Sequence, residues 1–490
     1  MTGPHARFAQ EHIVEQAHDW KERPTLSVAA DLVSVAFTLG LNDVATDAAH
    51  FVLRQNFAPL AARSIAAAYL RLCGADVPTE QPETPVDLAM SRHLISNREL
   101  VPADRLRMIQ VHRLRSEVSD YPRNPIAWSD LAFYYTTLGI ADKAEQAMVI
   151  AMNLAPYNRY VLRSASRLFL HVGERERALS VLSRSPLVQT DPWILAAEIA
   201  IADSVRRASS KHVKRGKRMV DTAQFDDRAL SELTSALGTL DYKAGKLRDW
   251  KKNIAASLRS PTENAIAQAV WLSRASSVFL AIPKREESAE AAAWTAVERG
   301  QWDVSRTETE KWRQDQPFSS RPAIHGSFIA ATVFEDFPAA IDIAHAGLRC
   351  NPDDSALLNN LSFAAAMSGD LETAEEYLKR LGSQSLTGPA EITFLATQGL
   401  LLFRKGCYHL GREFYVNAVG KARSLRDSGR ETGALAYFAM EEVRAKSEHA
   451  QQMCDAAIQK ARALASPFGD VLVEMVNRRR EADAGVPGGR

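Results

Sequence analysis

Arg159, Arg163 and Arg167 stand four residues apart in a chain of 490 residues. That spacing puts three guanidiniums on one face of a helix. A row of this kind suits carboxylates or phosphates, because each guanidinium offers a planar fork of donors for bidentate bonding. A second cationic concentration follows. Between Arg206 and Arg259 fourteen basic residues stand against six acidic ones, an excess of eight, and the densest run is Arg206, Arg207, Lys211, Lys214, Arg215, Lys217 and Arg218. Such an excess fits nucleic acid or an acidic protein, with Tyr242 and Trp250 at hand for stacking. A solvated loop and a charged helix face would account for it equally. The chain as a whole, at a formal charge of +1, has no such bias.

Catalytic signatures are absent. There is no HExxH, no GxSxG and no glycine-rich phosphate loop. Gly216-Lys217 and Gly245-Lys246 lack the following Ser or Thr, the upstream glycine and a preceding strand that a phosphate loop requires. The twelve histidines are scattered; His12 and His18 could share a surface with Glu11, Glu15 and Asp19, but a solvated helix end explains them far better than a metal site. Cys73, Cys350, Cys407 and Cys454 are far apart and form no CxxC pair, which argues against a disulfide frame or a zinc site and for reduced thiols. No run of about 18 apolar residues appears, and the N-terminus lacks a signal-peptide core. The expectation is a cytoplasmic protein that is not an enzyme, needs no cofactor or metal and does not enter a membrane.

The elements that must carry these residues are helices. Apolar residues make up 46% and charged residues 24%, ordinary values for a globular chain. Glycine and proline serve as punctuation, and no period-2 alternation of any length stands out. At this length the chain must be several domains or one extended stack. The clearest local pattern runs from Pro125 to Asn158. Trp128, Leu131, Ala132, Tyr135, Gly139, Ala144, Met148, Ala151 and Pro156 alternate large and small side chains over a unit of about 34 residues. Asn124-Pro125 reads as an N-cap with proline at the first helical position. Gly139 reads as the end of the first helix.

The same lattice returns along the chain. It is weak from Leu26 to Val52 and near Leu60–Gly74, and clear from Arg159 (Leu162, Ala165, Ser166, Phe169, Gly173, Ala178, Leu182). It reappears from Ala289, Ile324 and Leu358, and loosely over Leu395–Ala418 and Ala434–Ala457. These observations divide the chain into a capping helix and degenerate repeats (1–77), a Pro-rich linker (78–85), central repeats (86–190), an atypical helical zone holding the basic cluster (191–282), C-terminal repeats (283–470) and a helix end with a disordered tail (471–490). Within the atypical zone Phe225–Leu258 reads as one long helical stretch, and Ser260-Pro261-Thr262-Glu263 as a capping box.

This lattice resembles the tetratricopeptide repeat superfamily over roughly three quarters of the chain. The resemblance implies an all-α solenoid, a right-handed superhelix of helical hairpins whose first helices line a concave groove. It also implies binding of proteins or peptides there without chemistry. In that register Arg159, Arg163 and Arg167 take groove positions, and His325 and Asn359 fall at equivalent groove positions of consecutive repeats, where an asparagine could bond an extended peptide backbone. The lysine, arginine and asparagine clamp that some family members use for a peptide C-terminal carboxylate does not recur here. The tryptophans fall mostly at lattice positions or helix starts and read as packing. The expected function is a helical-repeat scaffold or adaptor for a protein or peptide partner, such as an enzyme or effector that it regulates. The alternatives are a nucleic-acid-associated subunit using residues 206–259, and an enzyme whose site has no recognisable motif.

Overall fold

In a computed structural model, residues 13–75 (apart from 15, 40–42, 56–57 and 59) and 103–484 (apart from 208 and 223) are described. The expected linker at 78–85, the helix expected near Val86–Ser96 and the end of the tail lie outside them. Two compact units form, Met1–Ala103 and Asp104–Arg490. Among the described residues every regular element is a helix.

The first unit packs α1 (Leu26–Leu39), α2 (Thr46–Arg54) and α3 (Leu60–Leu72). Ala29, Leu32, Val33 and Ala36 of α1 meet Ala48, Ala49 and Val52 of α2 in a closed core. The Ala45 N–H donates to the hydroxyl of the buried Tyr69 at 3.0 Å. Trp20 meets Phe51 edge-on at 5.1 Å.

The second unit is an α-solenoid, a stack of helical hairpins. After α4 (Ala103–Asp120), hairpins follow one another: α5 (Pro125–Thr137) with α6 (Ala141–Leu154), α7 (Arg159–His171) with α8 (Arg175–Ser183), α9 (Pro192–Ser204) with α10 (Ser210–Asp221), and α11 (Asp227–Lys243) with α12 (Leu247–Ser257). The local chemistry explains the starts. Asn124 accepts from the N–H groups of Ile126 and Ala127, Asn158 from Tyr160 and Val161, and Asp191 from Trp193 and Ile194. Each such cap is worth about 1 kcal/mol. Ala132, Ala144, Ala151, Ala165 and Ala178 are wholly buried, because any larger side chain there would hold the paired helices apart.

Phe225–Leu258 is a hairpin and not one helix. It breaks after Lys243, where Gly245 takes φ +71°, as Gly139 does between α5 and α6. The N-cap of α13 (Glu263–Ser276) is Thr262, whose hydroxyl accepts from the Ala265 N–H; Ser260 and Pro261 precede the cap.

Regularity fails once. No second helix follows α13. Residues 278–283 run without regular structure to a short 3-10 turn at Arg285–Glu287, and the next first helix, α14 (Ala289–Glu298), comes early. Hairpins then resume: α14 with α15 (Trp302–Asp315), α16 (Ser320–Thr332) with α17 (Phe337–Cys350), α18 (Ser355–Ser368) with α19 (Leu371–Gly382), α20 (Pro389–Arg404) with α21 (Tyr408–Ser424), and α22 (Ser428–Arg444) with α23 (Ala450–Ala463). Helix α24 (Pro467–Ala484) ends the series.

The second unit also meets itself. The loop after α5 abuts the end of α17, where a Cβ on Gly139 would overlap the Arg349 carbonyl oxygen. Phe318 packs edge-on against Phe133 at 5.8 Å and His171 at 5.2 Å. Farther along, α24 packs back on α14 and α16, with Phe468 5.6 Å from Phe328.

Candidate functional site

The inner face of the second unit holds a concave groove of about 700 Å³. Its floor is small: Ser166 of α7, Ala196, Ala197 and Ala200 of α9, Ala236 of α11, Ala265 and Ala267 of α13. Its walls carry charge: Arg163 and Arg167 at one end, Asp203, Glu232 and Lys243 across the middle, Glu290 and Arg321 at the other end. Successive first helices begin 33 to 36 residues apart, at Pro125, Arg159, Pro192, Asp227 and Glu263, which is why equivalent turns of successive hairpins point into one surface.

Most of these charges are already paired. Arg163 Nη2 donates to Glu232 Oε2 at 2.7 Å, both side chains being largely buried. Its guanidinium lies over the Trp193 ring at 5.3 Å. The other oxygen of Glu232 accepts from Asn264 at 2.8 Å. Lys243 pairs with Asp203, and Arg321 with Glu290. Gln268 donates to the Thr239 hydroxyl at 3.0 Å.

Arg167 differs. It stays exposed, and among the described residues no acid or acceptor takes its guanidinium. Partial enclosure by the groove, and then the neighbouring Arg163 charge, hold it below the ordinary arginine range. The structure therefore sorts the three arginines that the sequence grouped. Arg159 Nε donates to Asp191 Oδ2 at 2.5 Å, reinforcing the residue that caps α9. Arg163 braces α7 against α11. Arg167 alone presents an uncommitted charge.

His325 and Asn359 lie inside the packing and away from any groove surface. His325 is 5% exposed, its ring 4.3 Å from that of Trp294 and its Nε2 3.3 Å from Ser305 Oγ. Burial, and then the Arg274 charge, hold its pKa down to about 4. Asn359 is likewise buried and accepts from the Thr397 hydroxyl at 2.9 Å. In these repeats the helix is rotated so that this position meets the adjacent hairpin.

The basic cluster lies chiefly on α10. Its apolar edge, Val213, Gly216 and Met219, packs inward; a Cβ on Gly216 would stand 3.2 Å from Leu233. Its other edge carries Lys211, Lys214, Lys217 and Arg218, exposed and without an ion-pair partner among the described residues. Arg215 donates to the Gln189 carbonyl oxygen at 3.2 Å and Arg207 to Glu176 at 2.7 Å; Arg206, at φ +56°, is exposed in the turn before α10. Trp250 is wholly buried and cannot stack on a base. Tyr242, partly buried, donates its hydroxyl to the Ala275 carbonyl oxygen. The two Gly-Lys pairs sit within α10 and at the turn between α11 and α12, neither of them a phosphate loop.

No group of three or more His, Cys, Asp or Glu among the described residues could hold a metal ion. No described helix is long and apolar enough to cross a membrane. The four cysteines form no disulfide.

The sequence did not single out Glu232, Asn264, Gln268 or Arg321. Residues 191–282 carried no repeat register in the sequence, so nothing fixed which face of the 225–258 stretch turns Glu232 inward. The 33-to-36-residue spacing of helix starts would have recovered it.

No protein-family model matches the chain, and no curated protein matches it. Among solved structures, human IFIT1 as a dimer with PPP-AAAA aligns at a TM-score of 0.38 and 13% identity, covering 79% of this chain and 96% of that one. Yeast Tom70 aligns at 0.30 and 12%, covering 78% and 96%. The Cut9–Hcn1 hetero-tetramer of the APC/C aligns at 0.38 and 12%, covering 98% and 93%. The helical-repeat class follows from the hairpins described above, and likeness at this level says nothing about a ligand.

Proposed function

We propose that the chain is a non-catalytic scaffold that binds a protein or peptide partner in the concave groove, with Arg167 receiving an acidic group of that partner. The observation that carries this reading is the contrast within the groove. Arg163, Lys243 and Arg321 are each neutralised by a local carboxylate, and Arg167 is left as an open cation above an alanine-rich floor. Small side chains let an extended chain lie close to the helices, and groups such as Asn264 and Gln268 stand at the margin to meet its backbone. The test is capture of the co-purifying protein by the full chain and by Arg167→Glu. The reversal should weaken capture at least tenfold with thermal melting unchanged; undiminished capture overturns the assignment.

A second reading rests on α10. Four exposed cations without partners on one helix suit a phosphate backbone, whose binding weakens steeply with salt. A shift of single-stranded RNA or duplex DNA that disappears between low and physiological salt, and is lost when Lys211, Lys214, Lys217 and Arg218 are reversed to glutamate, would favour it over the groove. A salt-insensitive partner lost only with Arg167→Glu would favour the groove.

A further inference from the structure

Of the eight tryptophans, Trp271 alone is exposed, at 41%. It lines the concave groove, and its ring meets Tyr242 edge-on at 6.4 Å. Its place in α13 is that of Arg167 in α7. Trp271 stands nine residues after the N-cap Thr262, and Arg167 nine after the N-cap Asn158. Ala200 and Ser235 hold the same place after Asp191 and Asp226. All four residues line the groove. First helices that stack in succession bring equal positions to one level, so these residues make a row: a cation, two small side chains and an indole. The helices α7, α9, α11 and α13 each pack on the next. At about 8–10 Å between neighbouring axes, Arg167 and Trp271 stand about 24–30 Å apart.

Given the groove reading above, we infer that Trp271 is a second, specificity-determining anchor, and that the occupant is an extended segment of a partner protein crossing α7 to α13 with its acidic residue on Arg167 and a large apolar or aromatic residue on Trp271. An extended chain advances about 3.3–3.4 Å per residue, so the two anchoring residues stand about seven to nine positions apart. Three observations converge. The small side chains of Ala200 and Ser235 between the anchors let a backbone lie close to the helices. Asn264, Gln268 and Trp271 form one stripe of α13, four and three residues apart. Asn264 donates to Glu232 and Gln268 to Thr239, which leaves both amide oxygens to accept from the N–H groups of an extended chain; a helix keeps those groups to itself. The charge also selects the occupant. Arg163, Arg167, Lys243 and Arg321 share the walls with Asp203, Glu232 and Glu290, so one positive charge is left over. A single carboxylate matches it, whereas a chain of phosphates would face three acids.

The test is a display library of random 12-residue peptides panned on the full chain, with enriched peptides resynthesised and titrated by fluorescence anisotropy. A second readout is fluorine NMR of the chain grown with 5-fluorotryptophan, in which Trp271→Phe assigns the Trp271 resonance. Enriched sequences should pair an Asp or Glu with a Phe, Tyr, Trp or Leu at the separation given above. Trp271→Ala should weaken binding at least tenfold and Trp271→Phe by less than threefold, with thermal melting unchanged in both. Bound peptide should shift the Trp271 resonance, and a proline placed between the anchors should change affinity by less than threefold. Peptides that are lost with Arg167→Glu but bind equally to Trp271→Ala, and leave the Trp271 resonance in place, overturn the second anchor while the groove reading stands. Peptides indifferent to both variants overturn the anchor and the groove reading together. Failure to enrich any peptide overturns the anchor pair. So do anchors three or four positions apart or binding lost on the proline, which mark a helical occupant. A twelve-uridine RNA that shifts the Trp271 resonance when no peptide does overturns it in favour of nucleic acid.

Discussion

The Sγ atom of Cys350 lies 3.3 Å from the carbonyl oxygen of Thr137, a contact between residues 213 positions apart. Both ends of the contact are last turns of helices, and both are buried. Gly139 and Arg349 meet beside it, and Phe318 lies between Phe133 and His171 on the same seam. The groove is therefore bounded by hairpins that also touch each other.

That seam can be probed at a single atom. Gly139 and Gly173 both take positive φ after a first helix, but a Cβ on Gly139 would strike the Arg349 carbonyl and one on Gly173 would meet nothing within 4 Å. Gly173→Ala should cost about 1 kcal/mol, the left-handed backbone penalty alone. Gly139→Ala should cost about 2–4 kcal/mol, because the seam must also shift. Urea denaturation of the two variants measures the difference; equal losses would mean that the seam contributes nothing.

His325 predicts a pH dependence. Its pKa lies near 4 in the fold against 6.5 for the ordinary side chain, so the unfolded chain binds more protons between these values. Stability is full above about pH 6.5 and falls as the pH drops toward 4, by about 3 kcal/mol from this group. His171, held below its ordinary value by burial, adds in the same direction. His325→Gln should reduce the loss between pH 7.5 and 4.5 by about 2–3 kcal/mol. An unchanged slope in denaturant titrations at the two pH values would contradict it.

Arg404 and Glu441 form a bidentate pair at 2.8 and 2.9 Å between α20 and α22, with side chains 7% and 3% exposed. Arg404→Met alone should destabilise by about 3–5 kcal/mol, because it strands a buried carboxylate. Arg404→Met with Glu441→Leu should recover to within about 1 kcal/mol of the parent. A double variant as unstable as the single one would show that the pair sets helix register and is more than a balanced charge.

The two groove arginines should separate by stability as well as by binding. Arg163→Ala leaves Glu232 enclosed with only Asn264 and should cost about 2–4 kcal/mol. Arg167→Ala removes a charge that repels Arg163 and should change stability by less than about 0.5 kcal/mol. Calorimetric melting of the two proteins decides it; equal destabilisation would give Arg167 a structural role.

The fold was legible where a residue's role is local. Asn124, Pro125, Gly139 and the alanines at 132, 144 and 151 are constrained by turns and close approach within one hairpin, and they lie where their types require. The candidate site was less legible because it depends on rotation and on distant neighbours. Arg159 and Arg163 look alike in the sequence, yet Asp191 and Glu232 claim them from 32 and 69 residues away. His325 occupies a position that a regular repeat would turn to the groove, but Trp294 and Trp312 enclose it. Nothing near Thr137 announces Cys350. The absent second helix after α13 showed only as a loss of pattern, which could not be told from an irregular helix.

The contact between Thr137 and Cys350 also bears on mechanics. An open stack pulled from its ends can peel one hairpin at a time, because each is held only by its neighbours. Here the hairpins from α5 to α17 are spanned by a clasp, and tension applied outside it reaches none of them until the clasp parts. Stretching residues 104–484 should therefore give first the shallow sawtooth of the hairpins from α18 to α24, then one higher-force rupture as the clasp parts, then the sawtooth of the hairpins it had shielded.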